Sequence, residues 1–180
     1  MTARQVTQGC LLVASPRLLD PNFVRTVVLV ISHDPEGSFG LVLNRPLEHS
    51  LGEVLPDAPE AAARVPLLQG GPVQTDALQF MSRHEHLGRK VMAGVSVGAA
   101  LDELLDASPR AEGVCGYLGY AGWGEGQLEG ETAEGSWVVA PARAEHVFEV
   151  PAERLWATVL RELGGRYAWM AFGDGSPGDN

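Results

Sequence analysis

Four places in the chain bring together residue types that could do chemistry. Gly94-Val95-Ser96-Val97-Gly98 has the GxSxG pattern of a sharp strand-to-helix turn that presents a serine nucleophile, and a helix-forming run starts at Ala99. Acyl transfer there needs a base and an acid, and His146 is the one histidine after Ser96. The preceding Arg89-Lys90-Val91-Met92 makes a poor strand for such an elbow, so a loop or edge strand ahead of a helix is the favoured reading. His84-Glu85-His86 offers two metal ligands if it lies on a strand, where alternate residues share a face; His33-Asp34 is a distant further pair, and no spacing marks a third ligand. Asn44-Arg45-Pro46 closes an apolar run, and the proline holds Arg45 extended. A guanidinium fixed in this way can grip a carboxylate with two parallel bonds, from a ligand or from this chain's own Glu129 or Glu131, and the internal pair is favoured. Asp20-Pro21 with Arg25-Thr26 raises the same choice, with a structural turn and an internal ion pair expected.

The fourth place is the most unusual: Gly119-Tyr120-Ala121-Gly122-Trp123-Gly124-Glu125-Gly126-Gln127-Leu128-Glu129-Gly130-Glu131, with five glycines around a tyrosine and a tryptophan. Its glycines call for backbone turns closed to other residues. The dinucleotide register fails because the third glycine position falls on Gln127 or Glu129, and the three glutamates would repel a phosphate. Two readings remain. In the favoured one Trp123 plugs the core at a structural corner; in the other Tyr120, Trp123 and Gln127 line a surface groove that meets a partner or ligand.

The elements that must position these residues come from one core. A chain of 180 residues, 45% hydrophobic and 20% charged, is expected to fold as a single domain over residues 1–172, with 173–180 as a mobile tail because that stretch holds no hydrophobe. The net charge of −10, with Lys90 the single lysine, argues against broad nucleic-acid binding, which rests on many cationic phosphate contacts. The one locally basic stretch, Ser82 to Lys90, sets Arg83, Arg89 and Lys90 against Glu85. Cys10 and Cys115 lack CxxC spacing and sit in apolar runs, so buried free thiols are expected, and with no signal-like or membrane-spanning run the simplest location is the cytoplasm. No cofactor is expected.

Cys10–Ala14, Thr26–Ile31 and Phe39–Asn44 read as three strands before residue 45, the last two joined by a turn at His33–Gly37, which favours a mixed or antiparallel sheet over βαβ winding. Ser50-Leu51-Gly52-Glu53 has capping-box spacing for a short helix. Strands follow at 67–69, 77–81 and 114–118, with an amphipathic helix at 99–106 between the last two. The 114–118 strand leads into the glycine-rich turn. Ser136–Ala140 and Glu145–Phe148 suggest another strand pair, and Pro151 opens a final helix that carries Leu155, Trp156, Val159, Leu160 and Leu163.

Taken together these motifs resemble the bacterial AlgH/YqgE family over nearly the whole domain, from Gly9 to about Gly164. The resemblance is carried by Leu11 to Pro46, by Leu67-Leu68-Gln69-Gly70-Gly71-Pro72-Val73, by Gly119 to Glu131, and by the Trp137 strand with the Trp156 helix. It implies an α+β fold in which a mixed, bifurcated β-sheet curls into a pseudo-barrel with flanking helices. It also implies a regulatory module: one branch is described as a transcriptional regulator of exopolysaccharide synthesis, and no catalytic mechanism is attached to the family. Ser96 lies outside the shared motifs. The expectation is therefore a non-catalytic, cytosolic regulatory or interaction protein that acts through a protein partner or small acidic ligand, without gripping DNA directly. A small hydrolase using Ser96, or weak metal or DNA binding, is the alternative. Its groove would gather Asn44, Arg45, Pro46, Gly70, Gly71, Pro72, Tyr120, Gly122, Trp123, Gln127 and Glu131 on one side of the fold.

Overall fold

The three early apolar runs are neighbours in one antiparallel sheet: β1 (Cys10–Ala14), β2 (Val27–Asp34) and β3 (Gly37–Val42). The structure, a computed structural model, describes residues 4–172, so the expected tail 173–180 lies outside the described residues. The β2–β3 turn is closed by Asp34, whose Oδ1 accepts the Glu36 N–H at 2.8 Å. Next come α1 (Leu51–Val54), a 3-10 turn at Glu60–Arg64 and β4 (Leu67–Gln69). The capping box forms as its spacing predicts: the Glu53 N–H donates to Ser50 Oγ, and the Ser50 N–H donates to Glu53 Oε2. Then follow β5 (Val73–Ser82), β6 (Arg89–Met92), β7 (Val95–Val97), α2 (Leu101–Ala107) and β8 (Val114–Gly124). The chain continues through α3 (Gln127–Ala133), β9 (Trp137–Pro141), α4 (Ala144–Phe148), α5 (Ala152–Leu163) and α6 (Gly165–Met170).

The strand order is β6-β7-β5-β8-β3-β2-β1-β9, with β4 added in parallel to β8. This is the expected mixed, bifurcated sheet of an α+β domain, and it curls into a half-barrel. The curl shows in side-chain bonds between strands far apart in the order. Gln8 Nε2, just before β1, donates to the Val91 carbonyl of β6 at 3.1 Å, and Arg89 Nη2 donates to the Ile31 carbonyl of β2 at 3.2 Å.

Strand alternation sorts the core onto two faces. Leu11, Val13, Leu29 and Leu41 point to the face covered by α5, which buries Leu155, Trp156, Val159 and Leu160 there. Each such side chain contributes roughly 1.5–3 kcal/mol on burial. The Trp156 indole N–H also donates to the Ala14 carbonyl at 2.8 Å, so the helix is pinned by a polar bond inside its apolar stripe. Leu12, Val28, Val30 and Val42 point to the other face, where α3 adds Leu128; further along, α1 and α2 add Leu51, Leu104 and Leu105 over β4, β5 and β8.

Two segments differ from their sequence reading. Glu145–Phe148 is helix α4: four residues cannot separate alternation from a helical turn, and the turn wins because His146 Nδ1 accepts the Arg143 N–H at 3.1 Å. The glycine-rich stretch is strand through Gly124, because residues 121–124 pair with Gly37–Gly40 of β3 while 114–118 pair with β5 and β4. The change of partners falls at Gly119, whose φ is +71° and where a Cβ would lie 2.5 Å from the Gly71 carbonyl oxygen. Opposite it β5 breaks register between Val73 and Leu78.

Gly119→Ala combines a left-handed backbone with a backbone collision and is expected to lower stability by at least about 2 kcal/mol in urea unfolding. Gly130→Ala, in the middle of α3 with open space around its Cα, is expected to raise stability by about 0.5–1 kcal/mol in the same assay.

Candidate functional site

The place where β8 changes partners is also where the sequence motifs meet. Gly70 fills the gap that the split leaves: its N–H donates to the Leu118 carbonyl at 2.7 Å, and its carbonyl accepts the Val42 N–H at 2.8 Å. Gly71 lies against the Tyr120 carbonyl so closely that any Cβ would overlap it. The Gly70-Gly71 pair therefore serves close backbone packing.

Asn44 continues the ladder with its side chain. Its Oδ1 accepts the Val27 N–H and its Nδ2 donates to the Arg25 carbonyl, both at 2.9 Å, which ties the loop before β2 to the end of β3. That loop holds its own turn, since Asp20 Oδ1 accepts the Asn22 N–H at 2.8 Å. Residues 45–47 then run antiparallel to β4: the Gln69 N–H donates to the Arg45 carbonyl, Pro46 bridges Leu68, and the Leu47 N–H donates to the Leu67 carbonyl. Arg45 is thus fixed on both sides of its Cα, half-buried, with Nη2 donating to the Val24 carbonyl at 2.7 Å. It lines a cavity of about 110 Å³ with Asn22, Gln69, Gly71 and Pro72.

The expected pairing of Arg45 with Glu129 or Glu131 does not form. Among the described residues no carboxylate lies within ion-pair distance of Arg45, and both glutamates are engaged elsewhere. Glu131 Oε2 accepts the indole N–H of Trp123 at 3.0 Å and that of Trp137 at 2.8 Å, while its Oε1 accepts Gln127 Nε2 at 2.9 Å. Gln127 Oε1 in turn accepts the Gly124 N–H at 3.1 Å, closing the turn into α3. Both indoles are buried, edge to face with centroids 5.9 Å apart, and Phe23 packs on each. Glu129 faces His33 Nε2 at 3.5 Å.

So the structure brings Arg45, Gly71 and Pro72 to one cavity and places Tyr120 and Gly122 in a neighbouring depression with Phe39 and Val73. Trp123 is buried with its indole N–H held by Glu131, in a clamp that Gln127 completes, and it also lines that neighbouring depression. Asn44 holds the backbone, and Pro46 is exposed. Asn22 and Gln69 were missed as cavity residues, although the turn at Asp20-Pro21 and the strand before Gly70 both marked their positions. Phe39 carried no signal beyond its strand.

The other chemical candidates sit as follows. Ser96 lies in the middle of β7 opposite Ser82 and Lys90, is 1% exposed, and is four residues ahead of Ala100, which precedes α2. His146 is buried with Nε2 against Glu162 Oε2 at 3.0 Å, in the contact between α4 and α5. His84 and His86 lie in the β5–β6 connection with ring centroids 6.0 Å apart. No group of three or more His, Cys, Asp or Glu side chains among the described residues is arranged to hold a metal. The basic stretch is tied down internally: Arg83 pairs with Glu149 and lies over Phe148, Lys90 pairs with Glu85, and Arg89 reaches Gln8 and Ile31. Burial pushes the Cys115 thiol up to about 11 and raises Cys10 as well, and both are free. No helix among the described residues is long and apolar enough to cross a membrane.

Removing the shared acceptor strands two buried indole donors, so Glu131→Ala is expected to cost about 1–3 kcal/mol, with Glu131→Gln costing less because one carbonyl acceptor remains. Chemical denaturation followed by tryptophan fluorescence reads both. A raised pKa in an acid means a scarce thiolate, so at pH 8 Cys10 and Cys115 should stay unmodified by a disulfide reagent while the protein is folded, and react once guanidinium unfolds it. Ser96 should likewise resist a fluorophosphonate probe in the native state.

Comparison with known proteins follows the same lines. The family described as AlgH-like matches residues 11–168. A UPF0301 protein of Chlorobaculum tepidum is 40% identical over 179 residues, covering 96% of this chain and 95% of that protein. One from Streptomyces coelicolor is 40% identical over 183 residues, covering 95% and 94%. Among solved structures, the AlgH protein from Pseudomonas aeruginosa superposes with a TM-score of 0.73 at 30% identity over all of both chains. Protein DIP2367 from Corynebacterium diphtheriae shares the fold, with a TM-score of 0.79 at 24% identity over 95% and 94% of the two chains. With the split sheet, the Arg45 segment and the glycine-rich strand in place and the match spanning nearly every described element, the chain belongs to the AlgH-like (UPF0301) family.

Proposed function

We propose that this protein is a non-catalytic regulatory or interaction module that recognises an acidic group, on a protein segment or a small ligand, at the Arg45 cavity. The observation that carries the reading is the state of Arg45. Its backbone carbonyl is held by the Gln69 N–H of β4, and its guanidinium has a neutral carbonyl at one nitrogen and, among the described residues, no carboxylate. Asn22 and Gln69 add amide groups to the same cavity, whose volume of about 110 Å³ suits a carboxylate or phosphate head rather than a large molecule. A side chain held in place loses little entropy on binding, so a fixed arginine is better suited to a planar anion than a free one.

The charge balance supports action through a partner. With 23 acidic residues against 13 basic, the chain lacks the cationic surface that phosphate contacts along DNA require, so an effect on transcription would pass through another protein.

Titration of labelled protein with succinate and with inorganic phosphate tests the reading by NMR. Saturable shifts are expected at Asn22, Arg45 and Gly70–Val73 with the acid and none with the uncharged diamide. Arg45→Gln should weaken binding by about ten- to hundredfold, the worth of a charged hydrogen bond, while leaving the fold intact. Undiminished binding by Arg45→Gln, or no saturable response to either anion, overturns it.

A further inference from the structure

A second depression, distinct from the Arg45 cavity, lies between the β2–β3 turn and β8. It is open to solvent, with a volume of about 510 Å³. Its floor is the ring pair Phe39 and Tyr120, centroids 4.7 Å apart and tilted by 34°, neither ring fully buried. Gly122 leaves that floor bare: it is exposed on β8, and a Cβ there would sit 3.3 Å from Tyr120 Cε2, over the ring. Val73, 37% exposed, forms an apolar wall. The rim is acidic, with exposed Asp34 and Glu36 at the turn, and none of the described residues that line it is basic.

We propose that this depression seats an arginine side chain presented by a partner protein. An aromatic face attracts a cation through the ring quadrupole, and a planar guanidinium lies flat on it, so the tilted ring pair and bare Gly122 offer a stacking surface. The carboxylates of Asp34 and Glu36 supply the opposing charge at the edge where the fork of donors emerges. An apolar occupant would desolvate the rim without compensating it, and a nucleic acid would meet like charge. The net charge of −10 extends the same complementarity to a basic segment around the arginine. Pro72 lines the Arg45 cavity and Val73 lines this depression, yet the two sites have separate charged residues and opposite sign, so each can be tested alone.

The experiment is an NMR titration of the full chain with a capped Gly-Ser-Arg-Ser-Gly peptide and with its citrulline counterpart, which has nearly the same shape and no charge. The arginine peptide should shift the amide signals of Phe39, Tyr120 and Gly122 saturably, and the citrulline peptide should bind about tenfold more weakly or worse. Gly122→Leu, which covers the ring from an exposed position, and Glu36→Lys should each weaken the arginine peptide by a similar factor, with the remaining spectrum unchanged as evidence of folding. Arg45→Gln should leave this binding as it was, so loss of the anion site and loss of this one are distinguishable. Equal binding of the two peptides, a response confined to other residues, wild-type affinity in Gly122→Leu, or a flat titration at millimolar peptide overturns the proposal. A lysine peptide that binds as tightly overturns the assignment to arginine.

Discussion

One strand has to belong to two half-sheets. β8 pairs with β4 over residues 116–118 and with β3 over 121–124, while β5 pairs with it up to Tyr120, and a backbone cannot switch neighbours without a point where its ladder is interrupted. That point is Gly119, left-handed and packed against Gly71, with Gly70 inserted between Leu118 and Val42 to take up the hydrogen bonds the split would otherwise leave open. The whole half-barrel depends on it. The two outer-face clusters, one under α3 and one under α1 and α2, sit on either side of the split, while the inner face runs through to α5.

The same constraint explains why the recognisable motifs gather there. A split in a sheet creates strand ends in its middle, and strand ends are where side chains escape the ladder and cavities open. Arg45 leaves β3 at this level, Gln69 leaves β4, and the loop of Asp20–Arg25 is drawn in by Asn44. The glycines are there so that backbones can touch, while the arginine and the amides line the cavity beside them.

Glu131 of the glycine-rich segment has a different role from the one its charge suggests. Glu131 spends both oxygens inside the protein, two buried indoles on one and Gln127 on the other, so a carboxylate that looked available for Arg45 is committed to fixing Trp123, Trp137 and the entry to α3. Two tryptophans can be buried here because one acceptor satisfies both donors. Asp34 and Glu36, on the β2–β3 turn, keep their side chains exposed.

Much of this was legible in the residues. The apolar runs of β1 and β2, the Ser50 capping box, the stripe from Leu155 to Leu163 and the shared motifs specify an α+β domain with three early antiparallel strands, because each rests on local period or on contacts within a few residues. The chemistry was less legible, since it depends on partners distant in the chain. Asn44 and Arg45 are adjacent, yet the side chain of one is committed to Val27 and Arg25 while the guanidinium of the other donates to the Val24 carbonyl and lines a cavity; nothing in their spacing separates them. Glycine richness at 119–131 announced unusual backbone, and pairing with β3 made residues 121–124 strand rather than turn. The sequence by itself determined which elements form and which residues are unusual. The tertiary structure decided which of those residues hold the fold and which face solvent, because that depends on what lies across the sheet from each of them.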